Sequence, residues 1–479
     1  MREQKNIAFP KTPSGISGLD EITDGGFPRG RPVLICGSAG CGKTLFAAQF
    51  IVKGITDYNE PGVIMTFEET SGDLAQNVRS LGFDLEKLQA DNKLRVDFVR
   101  IERSEIEETG EYDLEALFIR LNHAIDSIKA KRVVLDTIES LFSGIEDSAI
   151  LRAEIRRLFH WLKKKGVTAV ITGERGENTL TRQGLEEYVS DCVILLDFRV
   201  IEQIATRRLR IVKYRGSTHG TNEYPFIIDQ EGISVMPVTS LRLDYESSKK
   251  IISTGLPDLD NLFSRNGIYS GSSVLITGTA GTSKTILASY FAMGSCRRKE
   301  RVLFFSFEES PEQLIRNMDS IGIGFRSQIK SGLLTIHASR PTLQGLEMHL
   351  LVILKLIEKQ KPRTVIVDPI SSLITIGSNT EVRGMLIRLM DTLKLQRINA
   401  LFTSLTHLND RLSDATVDAV SSLADTWINV SNEDAGGKRV RNLRVVKTRG
   451  MGHVSDRQEF DISGRGIRFI NATILKAKK

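Results

Sequence analysis

The sequence predicts two tandem α/β domains, each a doubly wound, mostly parallel sheet with a late antiparallel hairpin. Three observations lead there. At 479 residues and 41% apolar content, the chain has room for about two to four ordinary globular cores. A glycine-rich phosphate-loop motif stands between an apolar run and a helical run. Nearly every feature of residues 1–240 then returns in residues 251–479, in unchanged order and about 230–240 residues later, which marks a duplicated domain and not a solenoid. The join falls near Val238–Lys250, a polar stretch.

In each copy the first strand is short and apolar, Val33–Ile35 and Val274–Ile276. It runs into Gly37, Ser38, Ala39, Gly40, Cys41, Gly42, Lys43 and Thr44, and in the second copy into Gly278, Thr279, Ala280, Gly281, Thr282, Ser283, Lys284 and Thr285. The pattern G-x-x-x-x-G-K-[ST] is physically direct. Glycines let successive N–H groups point inward at an anion, and the following helix adds the positive end of its dipole. The lysine reaches the β/γ-phosphates of a nucleotide, and the threonine hydroxyl faces Mg²⁺. ATP and Mg²⁺ are therefore the expected ligands. In the second loop Ser283 stands where glycine is usual, at a position that demands positive φ.

The next strands are continuous apolar runs, Val63–Phe67 and Val302–Phe307, as in buried parallel sheets. Glu68 and Glu69 follow the first, Glu308 and Glu309 the second. Two adjacent carboxylates at a strand tip, repeated, suit a base that polarises an attacking nucleophile. The plain alternative is a cap on the next helix, 71–81 or 311–321. Helical spacing marks 114–129 and 346–358, and then come strands ending in Asp136 and Asp368. An aspartate there organises Mg²⁺ or its water shell, or else caps the residues beyond. Strands follow at 169–172 and 401–404. The pattern then turns antiparallel, 192–198 with 206–214 and 426–430 with 440–447. On that hairpin Lys213, Arg215 and His219 recur as Lys447, Arg449 and His453 in the spacing K-x-R-G-x-x-H. They either guard a sheet edge or reach across a subunit interface to a neighbour's phosphates.

Other classes are disfavoured. No apolar run approaches the ~18–20 residues of a membrane span, and Met1–Lys5 opens no secretory signal, so the chain is expected in the cytoplasm. Cys36, Cys41, Cys192 and Cys296 form no C-x-x-C pair, which excludes a zinc ribbon. A net charge of +6 permits nucleic-acid contact without demanding it.

Taken together, the P-loops, the doubled Phe-Glu-Glu runs at 67–69 and 307–309, the Ser17–Glu21 stretch, the two strand-end aspartates and the two hairpins resemble the KaiC family, two-domain members of the RecA-like ATPases, over nearly the whole chain. The resemblance implies two tandem RecA-like P-loop NTPase domains and a two-tiered homohexamer with ATP between neighbouring subunits. It implies a slow ATPase in residues 1–240 and a self-phosphorylating and dephosphorylating ring in residues 251–479. Glu68 and Glu69 would activate water. Glu308 and Glu309 would activate a hydroxyl of the adjacent subunit, which falls on Ser421 or Ser422, where the family's best-studied pair is Ser-Thr. Leu45, Ser80, Tyr214, Thr448 and Gly450 join the expected nucleotide contacts. The role implied is circadian, timing or stress signalling. A KaiB-like protein is an expected partner of the N-terminal ring. The chain ends at Leu475–Lys479, so the tail that KaiA engages is expected to be short or missing, and KaiA is not expected to act on it.

The rival reading is a RecA-, RadA- or DnaB-like DNA-dependent ATPase. Its support is a few basic runs, Lys163–Lys165, Arg207–Arg210 and Arg297–Lys299, which solvated helix faces also explain. A second rival is a scaffold whose nucleotide only cements a ring.

Overall fold

The computed structural model describes residues 9–99, 114–142, 147–176, 179–181, 190–201, 204–237, 248–406, 421–435 and 438–470. Most of the expected join at 238–250, and the chain ends including Leu475–Lys479, lie outside the described residues. The chain divides into two compact units, Met1–Thr239 and Ser240–Lys479.

The first unit has eleven strands among the described residues: β1 (Lys11–Thr12), β2 (Phe27–Pro28), β3 (Pro32–Gly37), β4 (Gly62–Thr66), β5 (Leu94–Phe98), β6 (Arg132–Asp136), β7 (Thr168–Glu174), β8 (Cys192–Ile201), β9 (Ile204–Tyr214), β10 (Glu223–Asp229) and β11 (Gly232–Val235). Nine form one sheet in the order β11-β10-β9-β8-β3-β7-β6-β4-β5. The pairs from β8 to β5 are parallel, and β9, β10 and β11 return antiparallel. The parallel strands are apolar because helices cover both faces. Phe46, Phe50 and Val170 pack on one side, and Leu121, Leu158 and Val133 on the other.

The second unit repeats the plan with β12 (Ile251–Ile252), β13 (Ile268–Tyr269), β14 (Ser273–Gly278), β15 (Val302–Ser306), β16 (Leu334–Ala338), β17 (Thr364–Asp368), β18 (Asn399–Leu405), β19 (Thr426–Ala435), β20 (Lys438–Thr448), β21 (Gln458–Ser463) and β22 (Gly466–Phe469). Its sheet runs β16-β15-β17-β18-β14-β19-β20-β21-β22. The predicted parallel core and late hairpin are both present. Sequence patterning missed the edge strands β5 and β16, whose alternating apolar and polar residues give no continuous apolar run.

Candidate active site

In each unit the phosphate loop leaves the carboxyl end of the central strand, where open α/β sheets bind their ligands. Gly37 is required by crowding, since a Cβ there would stand 2.4 Å from the Leu196 carbonyl oxygen. The helix Lys43–Tyr58 starts from Gly42 at φ 105, and Leu45 lies in its first turn. Its counterpart Lys284–Arg297 starts from Ser283, which adopts φ 77. Lys43 is buried, and its Nζ donates to the Gly37 and Ser38 carbonyls at 2.9 and 3.0 Å. Lys284 does the same with Gly278 and Thr279 at 2.8 and 2.7 Å. Burial lowers the Lys284 pKa, against the opposing pull of Asp368 and Glu308.

Asp136 and Asp368 end β6 and β17 and are buried. Asp136 accepts a hydrogen bond from Thr172 on β7, and the loop's Thr44 hydroxyl favours its charged form. Asp368 accepts from Thr403 on β18, and the Thr285 hydroxyl favours its charged form. Burial raises both carboxyls, Asp368 to about 6. The capping alternative fails for these carboxylates, which are turned to threonines. The peptide after each aspartate is cis. Thr172 and Thr403 escaped sequence reasoning, although the repeat offers a signal: a threonine 36 residues after the first aspartate and 35 after the second.

Glu68 and Glu69 follow β4 on the same sheet end. Glu68 Oε1 accepts from the Thr137 hydroxyl at 2.9 Å and from Ser140 at 2.5 Å. Glu308 Oε1 accepts from Ser372 at 2.8 Å, while Pro369 occupies the place of Thr137. Glu69 and Glu309 are held by Asn77 and Asn317, at 3.3 and 3.2 Å. Neither glutamate pair caps the next helix. Thr70 and Ser310 do, accepting from the backbone N–H of Asp73 and Gln313. Ser80 is exposed at the far end of helix Ser71–Arg79.

The hairpin cations lie at the opposite end of the sheet. Gly37 stands beside Leu196, whereas Lys213 pairs with Val193 and Tyr214 with Cys192, level with Leu34 and Val33. The Arg215 N–H donates to the Asp191 carbonyl, and Asp191 donates to Pro32. In the second unit Lys447 and Thr448 are level with Leu275 and Val274, three and four residues before Gly278. At about 3.3 Å per residue, Lys213 to Arg215 and Lys447 to Arg449 sit roughly 10–17 Å down the sheet from their own phosphate loop. One copy therefore cannot bring both sets onto one nucleotide. Tyr214 is buried, its hydroxyl donating to Gly26 O at 2.8 Å and its ring stacked on His219. In the second unit Gly450 takes φ 76, and His453 bridges to Phe263.

Ser421 and Ser422 lie on a helical turn at that same far end. Lys447 Nζ donates to the Ser421 carbonyl at 2.7 Å, and Arg449 donates to that of Ser422. An aspartate organises each cationic end, Asp191 buried and Asp425 half-buried. Asp191 pairs with Lys163 at 2.5 Å, Arg31 at 3.6 Å and Arg215 at 3.9 Å, and Asp425 pairs with Lys394 and Arg449. Members of the basic runs are paired within their own unit: Arg208 with Glu223, and Arg298 with Glu300 and the Ser253 carbonyl. All four cysteines are free and buried, and burial raises the Cys41 thiol. Among the described residues no helix is long and apolar enough to cross a membrane.

A family model described as "ATPase: KaiC" matches residues 12–240 and again 252–474. The circadian clock protein KaiC2 of Synechocystis sp. is 53% identical over 471 residues, covering 98% of this chain and 83% of the relative. The circadian clock oscillator protein KaiC of Synechococcus elongatus is 38% identical over 461 residues, 96% of this chain and 89% of the relative. The circadian clock protein KaiC3 of Synechocystis sp. is 37% identical over 473 residues, 98% and 93%.

Proposed function

The chain belongs to the KaiC family of RecA-like ATPases, and on that premise we propose an ATP-hydrolysing protein that phosphorylates its own serines and acts in circadian or other timing or stress signalling. Residues 1–240 form the N-terminal ATPase domain and residues 251–479 the C-terminal autokinase and ATPase domain. One observation carries the reading. Each copy puts its phosphate loop and carboxylates at one sheet end and its cations at the other, with Ser421 and Ser422 beside the second set. Such a copy supplies two complementary half-sites, which a homohexamer with ATP between subunits would join. A KaiB-like protein on the N-terminal ring and a cytoplasmic setting belong to the same proposal.

The residues fit Mg²⁺. Thr44 beside Asp136, and Thr285 beside Asp368, are hard oxygen donors. Among the described residues no group of three His, Cys, Asp or Glu could hold a metal alone, which suits an ion bound largely through phosphates and water. When bound, the ion neutralises phosphate charge. In each copy, Lys43 or Lys284 and the loop N–H groups orient ATP. Glu68 and Glu69 orient and deprotonate a water. Glu308, held by Ser372, and Glu309 take the proton of a neighbouring chain's Ser421 or Ser422 hydroxyl. The serine oxygen bonds to the γ-phosphorus as the bridging P–O bond breaks, and ADP leaves with that electron pair. Lys447, Arg449 and His453 of the acceptor chain face the phosphates in trans, as Lys213, Arg215 and His219 do in the first ring.

The test is mass spectrometry of the purified protein after incubation with Mg-ATP, beside a Glu308→Gln/Glu309→Gln variant. Phosphate on Ser421 or Ser422 in the parent alone supports autokinase chemistry. A parent that hydrolyses ATP and stays unmodified refutes it.

A further inference from the structure

Three cationic side chains of the second copy reach three successive backbone carbonyls. Lys447 Nζ donates to Ser421 O at 2.7 Å, Arg449 Nη2 donates to Ser422 O, and Lys394 Nζ lies 3.5 Å from Leu423 O. Asp425 ties them together. Its Oδ1 pairs with Lys394 at 3.1 Å and with Arg449 at 3.9 Å. Its Oδ2 accepts from the Ser273 N–H and hydroxyl at 2.9 and 2.8 Å. The segment 421–425 is thereby fastened at once to β14, to the end of β20 and to the helix Asn379–Leu395, which carries Lys394. The carbonyls of an exposed turn are ordinarily satisfied by water. Lys394 and Lys447 are part-buried beside the exposed Arg449, and burial followed by repulsion from Arg449 lowers the Lys447 pKa. In the first copy the aspartate hub recurs with Lys163 and Arg215, but Glu187 and Tyr188 hold the places of Ser421 and Ser422, four and three residues before the aspartate, and lie outside the described residues. The hub is common to both copies, whereas the acceptor serines belong to the second.

We propose that Lys394 and Asp425 are positioning residues that clamp the backbone of Ser421 and Ser422 and so place those hydroxyls for phosphoryl transfer. The inference rests on the autokinase reading above. Neither residue touches nucleotide or the reacting atoms. They act by holding the segment that Lys447 and Arg449 grip. Because those two cations also face a neighbour's phosphates, the clamp makes acceptor placement and trans-nucleotide contact one mechanical unit.

The test uses the full chain with Mg-ATP, following phosphate on Ser421 and Ser422 separately by mass spectrometry in the parent, Lys394→Met and Lys394→Arg. Misplacement of a reacting group is expensive, so Lys394→Met is expected to slow phosphorylation about tenfold and to change the Ser421:Ser422 ratio. Lys394→Arg, which keeps the cation, restores both. ATP turnover of the first copy, read in a Glu308→Gln/Glu309→Gln background, stays at the parent level in each. An unchanged rate and ratio in Lys394→Met overturns the clamp. Should that variant fail to fold, Ser273→Ala, which removes a donor to Asp425 from another element, decides by the same readout. A parent that acquires no phosphate overturns the autokinase reading itself, and the clamp with it.

Discussion

Ser283 offers a direct test of the loop argument, because the two copies run opposite experiments at one position. The residue holds φ 77 and ψ 25 where the first copy has Gly42. Left-handed backbone costs a non-glycine residue roughly 1–2 kcal/mol. Glycine removes that cost but returns roughly 0.5–1 kcal/mol through a freer unfolded chain. Ser283→Gly should therefore stabilise the second unit by about 0.5–1 kcal/mol, or about 1–4 °C in Tm for a domain of this size. The reverse change meets two penalties. Gly42→Ser takes on the left-handed cost, and its Cβ would stand 3.0 Å from Ile228 Cδ1, so a loss of about 1–3 kcal/mol is expected. The assay is urea unfolding by tryptophan fluorescence. The chain has two tryptophans, Trp161 in the first unit and Trp427 in the second, so a Trp161→Phe background reports the second unit alone. A Ser283→Gly variant with a lower urea midpoint than its parent would refute the strain argument.

Three other outcomes are expected. Arg132 is fully buried, stacked over Phe50 and bonded to Glu60 Oε2 at 2.7 Å, so Glu60→Gln should cost the first unit about 2–4 kcal/mol in urea unfolding, and a loss below 1 kcal/mol would count against a paired buried charge. His349 is buried with its Nε2 on the Pro341 carbonyl, and burial lowers its pKa. The neutral ring is the form that folds, so its stabilisation is intact above the ordinary value of about 6.5 and is lost as pH falls from there through the folded value, at up to about 1.4 kcal/mol per pH unit. His349→Gln should flatten this slope in the second unit's unfolding measured between pH 7 and 5, and an unaltered slope would assign it elsewhere. Ser372→Ala removes the hydroxyl held by Glu308 Oε1. Phosphorylation of Ser421 and Ser422 should fall about tenfold with first-copy ATP turnover unchanged, and an undiminished rate would free Glu308 of that dependence.

The parts legible in the sequence were those that repeat or that obey a backbone rule. The phosphate loops, the strand-end aspartates, the glutamate pairs and the hairpin cations each occur twice in fixed order, and chance does not supply that. The aspartate hubs were not legible. A single Asp191 or Asp425 carries no spacing signal, and its partners arrive from distant elements. Lys163 belongs to a basic run that reads as a solvated helix face, yet it is 2.5 Å from the buried Asp191 carboxylate. Lys394 sits on a helix whose apolar pattern says only that one face is buried. The same limit applies to Thr172 and Thr403, which read as ordinary strand residues until the sheet sets β7 beside β6 and β18 beside β17.

The polarity of a parallel sheet explains why neither copy sets its hairpin cations beside its own phosphate loop. Strands β3 and β14 deliver their loops to the carboxyl ends, where β6 and β17 also deliver their aspartates. Strands β9 and β20 return antiparallel, so their last residues arrive at the other end. No side chain spans that distance: an arginine reaches about 7 Å, against roughly 10–17 Å of strand. Changing loop sequence would not help, because the separation is set by strand direction. The repeated cations therefore either serve only their own sheet end or serve another chain's nucleotide. The Asp191 and Asp425 pairs account for Arg215 and Arg449 at their own end. The contacts of Lys447 and Arg449 with the carbonyls of Ser421 and Ser422 give the second copy something more, a cationic end that grips hydroxyl-bearing backbone. In that arrangement the groups that would accept the phosphate and the groups that would recognise it travel together, and under the proposed function both would approach from the chain that does not hold the ATP.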